Sequence, residues 1–450
     1  MTVVDRLVAA LGDAVSTDAA ALAVTQADKS GHRSLSAPLA VVSARSIADV
    51  QETMRIATAT GTPVVTRGAG TGLAGASIAS GGEIVLSTLA MDRVLEINEA
   101  DQLAVIEPGI LNGAFNGILA GHGFWFAPDP ASKAISTVGG NIATNAGGLL
   151  CAKYGVTRDA VLGLKVVLAD GRLLDLGHRS VKGVTGFDLT ALMVGSEGLL
   201  GVIVEATVRI RRAVPGTIAT VAAYFPTVTD AAAAAAAITA AGIQPAVMEL
   251  MDSASLAAVA SLLGLANTAP GEAHLVVQTD GAAASEEADA ALAVIRSLGG
   301  RADLSIDPVE GERLLAVRRA MHPAMEALGT TLIEDVSVPR TALPAMFAEI
   351  VRIEQLYGIR IPTVAHAGDG NLHPNFIFEG PDVPDHIWQA ADDLFSTALR
   401  LGGTLTGEHG IGILKKRWLG QELGEDQLEL QRQIKKVFDP QGILNPGKVF

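Results

Sequence analysis

Four residues near the C-terminus carry donor atoms at spacings that suit chemistry. His366 and His373 stand seven residues apart with Gly368, Asp369, Gly370 and Asn371 between them, and Glu408 and His409 begin 35 residues beyond His373. Seven residues would span two helical turns, but a Gly-Asp-Gly-Asn insert breaks a helix. The spacing predicts a strand, a tight turn and a return strand that bring the two imidazoles together. Two histidines and a carboxylate are a common divalent-cation set that leaves coordination positions open. A cation on a substrate hydroxyl lowers its pKa, and a neighbouring His or Glu can take the proton. The plainer alternative is that these side chains only orient a bound ring by hydrogen bonds.

A substrate anion needs a cation, best a bidentate guanidinium. Arg318 and Arg319 lie side by side in "LLAVRRAMHPAME". On one helix they face about 100° apart, so only one can point inward. His322 follows Arg318 by one turn and shares its face. Glu334 and Asp335, in "IEDVSVPR", read as helix or strand caps.

Three clusters of small residues could cradle a long ligand. The first, "GAGTGLAG" at 68–75, contains a GxGxxG pattern after a strand. A dinucleotide-binding helix would have to follow. Only the ten residues 73–82, with three glycines and two serines, separate it from the next strand at Glu83. A helical crossover between parallel strands takes about a dozen residues or more, so this loop does not open a helix of that kind. The second cluster, "PDPASKAISTVGGNIATNAGG" at 128–148, interleaves small residues with Ser, Thr and Asn. Free backbone N–H groups with short hydroxyl and amide side chains suit a diphosphate and a flat polar ring. The third is "VGSEGLLGVIVEATVRI" at 194–210, ending in a strand.

The elements that must position these residues follow from periodicity. Residues 1–35 read as one or two short helices, 37–44 as a strand, 46–61 as a helix capped by Ser46 and stopped by Gly61, and 62–67 as a strand. Residues 83–88 and 103–109 read as strands, and "NGAFNGILAGHG" and the alanine run Ala231 to Ala237 as helix. The pattern changes near Pro215, which places a boundary near 213; the division expected with the resemblance described below is 1–213, 214–404 and 405–450. The net charge of −15 disfavours nucleic acid. One cysteine, Cys151, excludes an internal disulfide or iron–sulfur site, and it reads as a small buried hydrophobe. No signal peptide or spanning segment is expected. A cytoplasmic location fits, with peripheral membrane attachment and a homodimer both compatible.

"TRGAGTGLAG", "PDPASKAISTVGGNIATNAGG", "KYGVTRD", "GSEGLLGVI" and "FDPQGILNPGK", in that order, resemble the FAD-binding segments of the vanillyl-alcohol-oxidase, or PCMH-type, flavoproteins. The likeness is strongest to their D-2-hydroxy-acid dehydrogenase branch: D-lactate dehydrogenases, the D subunit of glycolate oxidase and D-2-hydroxyglutarate dehydrogenase. It spans residues 35–450. It implies an α+β fold, with a two-subdomain FAD-binding domain, a substrate-binding cap built on an antiparallel sheet flanked by helices, and a final segment returning to the FAD domain. On matching positions it implies that Arg67, Gly68, Ala69, Gly70, Thr71 and Gly72 wrap the diphosphate. Pro128, Asp129 and Ser132, with Thr137, Gly139, Gly140, Asn141, Thr144, Asn145, Gly147 and Gly148, would line the ribityl chain and isoalloxazine. Gly198 and Val202 would approach the adenine side, and Asn445 would close over the flavin.

The resemblance also implies non-covalent FAD, because residues 66–82 contain no His or Cys for attachment. It implies zinc or another divalent metal on His366, His373 and Glu408, His409 as base, and Arg318, with His322 nearby, on the substrate carboxylate. The 2-hydroxyglutarate enzymes have a lysine where this chain has Ile333 and Glu334, which favours a monocarboxylate such as lactate or glycolate. Electrons would pass to a separate acceptor: a quinone, a cytochrome, an electron-transfer flavoprotein or an iron–sulfur partner. Four rivals remain: an FAD-carrying subunit of a glycolate-oxidase-like complex, a D-2-hydroxyglutarate dehydrogenase-like enzyme, a zinc hydrolase, and a non-redox ether-lipid synthase of the same flavin superfamily.

Overall fold

Ser46 and Gly61 bracket the first long helix, Ile47–Thr60. The Ser46 side chain accepts a hydrogen bond from the Asp49 amide, and Gly61 closes the other end in the left-handed conformation at φ 62°. These elements are seen in a computed structural model that describes residues 1–264, 273–380 and 382–450. The chain forms two compact units. The first holds Met1–Gly147, Gly155–Ala213 and Glu408–Phe450; the second holds Gly148–Tyr154 and Val214–Gly407.

Among the described residues the first unit contains two larger sheets and a two-stranded ribbon, Phe124–Trp125 with Arg211–Arg212. In one, Ala40–Ser43, Ile84–Ser87 and Val64–Arg67 run parallel, and the short strand Val15–Ser16 pairs antiparallel at the edge. The three parallel strands are mostly Val, Ile and Leu and are buried at nearly every position, as a sheet covered on both faces requires. Residues 68–83 link Val64–Arg67 to its parallel neighbour Ile84–Ser87 without a helix. In the other sheet five antiparallel strands take the order Val94–Asn98, Leu103–Ile106, Val202–Arg209, Val161–Val167, Leu173–Gly177. The C-terminal stretch is sewn into this unit: the Val64 amide donates to the Ile443 carbonyl and the Asn445 amide to the Val64 carbonyl, each at 2.8 Å.

The second unit is built on an eight-stranded antiparallel sheet. Thr217–Phe225, Ala273–Gly281, Val247–Asp252, Thr363–His366 and Asn371–Phe378 are successive neighbours in it. Val228–Ala240 is the helix of the alanine run. It buries Ala231, Ala232, Ala234, Ala235 and Ile238, small side chains that let a helix approach its neighbours closely. The fold is α+β. Among the described residues no helix is long and apolar enough to cross a membrane.

His274, on Ala273–Gly281, carries the fold's clearest pH signature. It is buried, stacks on Tyr224 with ring centroids 4.6 Å apart, and its Nε2 has no hydrogen-bond partner among the described residues. Burial pushes its pKa down to about 4 from 6.5. A base depressed in this way adds stability that is complete above pH 6.5. That stability is lost as pH falls toward 4, because the unfolded chain takes up the proton first. His274→Phe keeps the ring and removes the titration. Unfolding midpoints of variant and wild type should therefore diverge in the variant's favour between pH 6.5 and 4; a pH-independent difference would refute this assignment.

Candidate functional site

In the first unit, the glycine loop is held from inside by Arg67. Its guanidinium donates to the carbonyls of Ser77 and Ala27, both at 2.8 Å, and of Val24 at 3.3 Å. Gly70, at φ 68°, lies directly against that guanidinium, and any Cβ there would collide with it. Burial lowers the Arg67 pKa and raises that of its neighbour Asp28. The hydrogen bonds of Arg67 shape the loop, whose Gly68, Ala69, Gly70, Thr71 and Gly72 are half-buried.

The asparagine–glycine segment is shaped in the same way. Thr137 caps the short helix Val138–Thr144 by accepting from the Gly140 amide, and Asn145 closes it in the left-handed conformation. The Asn145 side chain accepts from the Arg158 amide at 2.8 Å, and Thr144 donates to the Gly140 carbonyl. Gly68 packs on Thr137 and Gly139 on Pro108, with no room for a Cβ at either position. The Pro128 carbonyl accepts from Asn112, Asp129 is buried, and Ser132 turns the chain by accepting from the amides of Ile135 and Ser136. Val202 is a fully buried member of a hydrophobic cluster with Val42 and Val64. Gly148 belongs to the second unit, as does Cys151, which is half-exposed rather than buried.

Glu197, which the sequence reading passed over, organises the turn after Glu408 and His409. Its buried carboxylate accepts from the amides of Ile411 and Gly412, both at 2.8 Å, and burial raises its pKa. Glu408 reaches back to Gly147, where a Cβ would sit 2.5 Å from the Glu408 carboxylate. Asn445, at φ 46°, donates to the Ala76 and Glu197 carbonyls at 3.0 and 2.7 Å. Gly198 gives it room, with its own Cβ position 3.7 Å from the Asn445 amide nitrogen.

In the second unit, His366 ends one strand and His373 lies two residues into the next, with His366 opposite Asn371 and Val364 opposite His373. The turn passes through Gly370 at φ 91°, against the Val338 carbonyl. The imidazoles meet edge to face with centroids 5.0 Å apart, and their ligand nitrogens lie within 4.8 Å of one another. A buried carboxylate backs each ring. Glu249 accepts from His366 Nδ1 at 2.7 Å and from Arg318 Nε at 2.6 Å. Asp335 lies 3.8 Å from His373 Nδ1 and accepts from Asn371 and Thr406, both at 2.6 Å. Asp335 and Glu334 are buried at 0% and 2% exposure, not caps. Burial raises Asp369, inside the turn, to about 6.

Of the adjacent arginines, Arg318 is the inward one: its side chain is 13% exposed, against 50% for Arg319, which pairs with Glu312. The helix carrying them ends at Arg319, and a second runs over Met321–Leu328. Pro323 has no N–H to offer the Arg319 carbonyl, so Arg318 and His322 do not share one uninterrupted helix. The His322 side chain lies outside the described residues. Glu249 could have been found from sequence, because "VMELMD" places one carboxylate inside an apolar strand.

Two family models match the chain: an FAD binding domain over residues 38–177 and the C-terminal domain of FAD linked oxidases over 214–449. The chain belongs to the FAD-linked oxidase family. It is similar to the glycolate oxidase subunit GlcD of Bacillus subtilis, at 37% identity over 92% of this chain and 89% of that protein. It is also similar to the D-lactate dehydrogenase of Archaeoglobus fulgidus, at 36% identity over 89% of each. Its fold matches that of p-cresol methylhydroxylase with substrate bound, at TM-score 0.78, 18% identity, and coverage of 99% of this chain and 96% of that one. It is an FAD-dependent oxidoreductase.

The first unit fits that cofactor on its own evidence of polar bookkeeping. Thr66 Oγ1, Ser136 Oγ, Asn141 Nδ2 and Asn445 Oδ1 are buried with no hydrogen-bond partner among the described residues. They lie in or beside the glycine-rich segments, and buried polar groups ordinarily find partners. Asn445→Ala leaves the Ala76 and Glu197 carbonyls without their donor, a loss of about 2–6 kcal/mol at the usual 1–3 kcal/mol per buried group. Denaturant unfolding should show that loss, and desalting should release FAD that the wild type retains. Full stability with full FAD retention would show that Asn445 does not tie these segments together.

Proposed function

We propose that the protein oxidises a small 2-hydroxy acid, such as D-lactate or the achiral glycolate, to the 2-oxo acid. One observation carries the reading: a cation suited to a carboxylate, Arg318, and one of two paired imidazoles, His366, are held by the same buried carboxylate, Glu249. A 2-hydroxy acid offers a carboxylate and a hydroxyl on adjacent carbons, the two groups such a pair would grip. The names of the relatives support the substrate class and the D configuration.

Bound FAD would supply the hydride acceptor, held without a covalent link. The Arg318 guanidinium would take the substrate carboxylate and fix the α-carbon. His366, His373 and Glu408 would hold a divalent ion; two imidazoles and a carboxylate suit zinc and its neighbours, and the ion's chemistry is to acidify a bound hydroxyl. His409 would accept the hydroxyl proton. Buried Glu334 and Asp335 would oppose a second carboxylate, which favours monocarboxylates over 2-hydroxyglutarate. With one cysteine in the chain, onward electron transfer falls to a separate acceptor. The printed name of the Bacillus relative, a subunit, supports a second reading, in which that acceptor is a partner chain of the same complex.

Anaerobic addition of D- and L-hydroxy acids should bleach the flavin with the D monocarboxylates, and no bleaching by any of them would end this reading. Chelator should slow the bleaching; indifference to chelator would remove the metal while leaving the oxidation. Arg318→Met should raise KM at least about tenfold through loss of a charge-assisted contact of roughly 1.5–3 kcal/mol. His409→Asn should slow flavin reduction with FAD retained.

A further inference from the structure

We propose that Glu249 is the positioning residue that couples carboxylate recognition to the imidazole pair, setting Arg318 and His366 together from beneath. This rests on the hydroxy-acid reading above and adds to it a residue that touches neither substrate nor cofactor.

Glu249 lies in the middle of the antiparallel sheet, on Val247–Asp252, with Val276 opposite it on one neighbouring strand and His366 opposite it on the other. It is 1% exposed, and the residues around it on its own strand are Met248, Leu250 and Met251, all buried. A carboxylate in such a place costs several kcal/mol unless its charge and lone pairs are met. Both oxygens are met, each by a different functional side chain. Oε2 accepts from Arg318 Nε at 2.6 Å and Oε1 from His366 Nδ1 at 2.7 Å.

Each of these bonds has a chemical consequence. A carboxylate oxygen can only accept, so the proton on the His366 ring sits on Nδ1 and the lone pair on Nε2. That is the tautomer a cation ligand needs, and carboxylates behind ligating histidines commonly set it. Arg318 is gripped through Nε alone, and among the described residues its side chain makes no other hydrogen bond. The terminal fork of two Nη atoms is thereby aimed while its donors stay uncommitted, the geometry a carboxylate accepts in bidentate fashion. One guanidinium balances the one buried negative charge, so His366 need not be protonated to stabilise Glu249. A single side chain thus prepares both halves of the grip.

The test compares Glu249→Gln with wild type, both as FAD-loaded full-length protein. Gln offers one acceptor and one donor. It can satisfy either the Arg318 Nε–H or the His366 Nδ1–H and must meet the other donor to donor. Zinc affinity, read by competition with a chromogenic chelator, should fall about 10–100-fold, the usual size of such losses behind a metal ligand. KM for the best hydroxy acid should rise at least tenfold with a smaller fall in kcat, and FAD content should not change.

A merely structural role would lower FAD content or thermal midpoint without this split, and that outcome overturns the proposal. Glu249→Asp, which keeps the charge, should recover part of both losses, and it serves in place of Gln if that variant does not fold. In the Arg318→Met background, Glu249→Gln should raise KM by clearly less than it does in the wild type; fully additive effects also overturn the proposal. The outcomes separate from those of the substrate reading. If no hydroxy acid reduces the wild-type flavin, the zinc competition still reads the His366 half. If wild type is reduced normally while Glu249→Gln matches it in zinc affinity and KM, only this inference falls.

Discussion

A buried carboxylate survives in a protein only where donors meet its lone pairs, and this protein uses that demand to place its functional groups. Glu197, Glu249 and Asp335 are buried at 7%, 1% and 0% exposure. Each collects donors from segments far away in sequence. Glu197 takes the amides of Ile411 and Gly412, more than two hundred residues on. Glu249 takes Arg318 and His366. Asp335 takes Asn371 and Thr406 and lies beside His373. The desolvation such groups suffer makes the arrangement all-or-none: removing one donor leaves a charge with no water to replace it. Rigidity at the site follows from that penalty more than from any favourable net energy of the ion pairs.

The same logic separates what was legible in the sequence from what was not. Local rules worked where the determinant is local. Ser46 and Gly61 bound their helix. The Gly-Asp-Gly-Asn insert gave two strands and a turn, and the ten-residue spacing after Leu73 excluded a crossover helix. The inward choice between Arg318 and Arg319 followed from helical geometry, although it could not say which one. What failed was non-local. Glu249 lies 69 residues from Arg318 and 117 from His366, and no periodicity links positions so far apart. The hydrogen bonds of Arg67 to three carbonyls of its own unit were equally out of reach of the sequence. The helix break between Arg318 and His322 had a local cause that was visible, the proline at 323.

Glycine carries two meanings here, and the structure separates them. A glycine-rich loop is usually read as room for a ligand to approach backbone amides. Several of these glycines make room for the protein itself: Gly68 for Thr137, Gly70 for Arg67, Gly139 for Pro108, Gly412 for the Ala74 carbonyl. The cradle is therefore assembled by loops pressed against one another, each lacking a Cβ at its crossing. A loop that only needed to admit a phosphate could tolerate alanine at some of these positions; one that must also admit a neighbouring strand of protein cannot.

That distinction bears on how such a scaffold changes substrate. The crossings in the first unit involve backbone, short side chains and the internally bonded Arg67, so they resist substitution, and with them the FAD-binding function. The groups in the second unit that would choose a substrate are long side chains, Arg318 above all, anchored by one strand position, Glu249. On the proposed reading, a change at 333 or 334 would alter the charge offered to the far end of a substrate while leaving the hydrogen bonds of Glu249 to Arg318 and His366 in place. A family can then hold the flavin and the grip on a 2-hydroxy carboxylate constant while the rest of the acid varies, because the two demands rest on different residues.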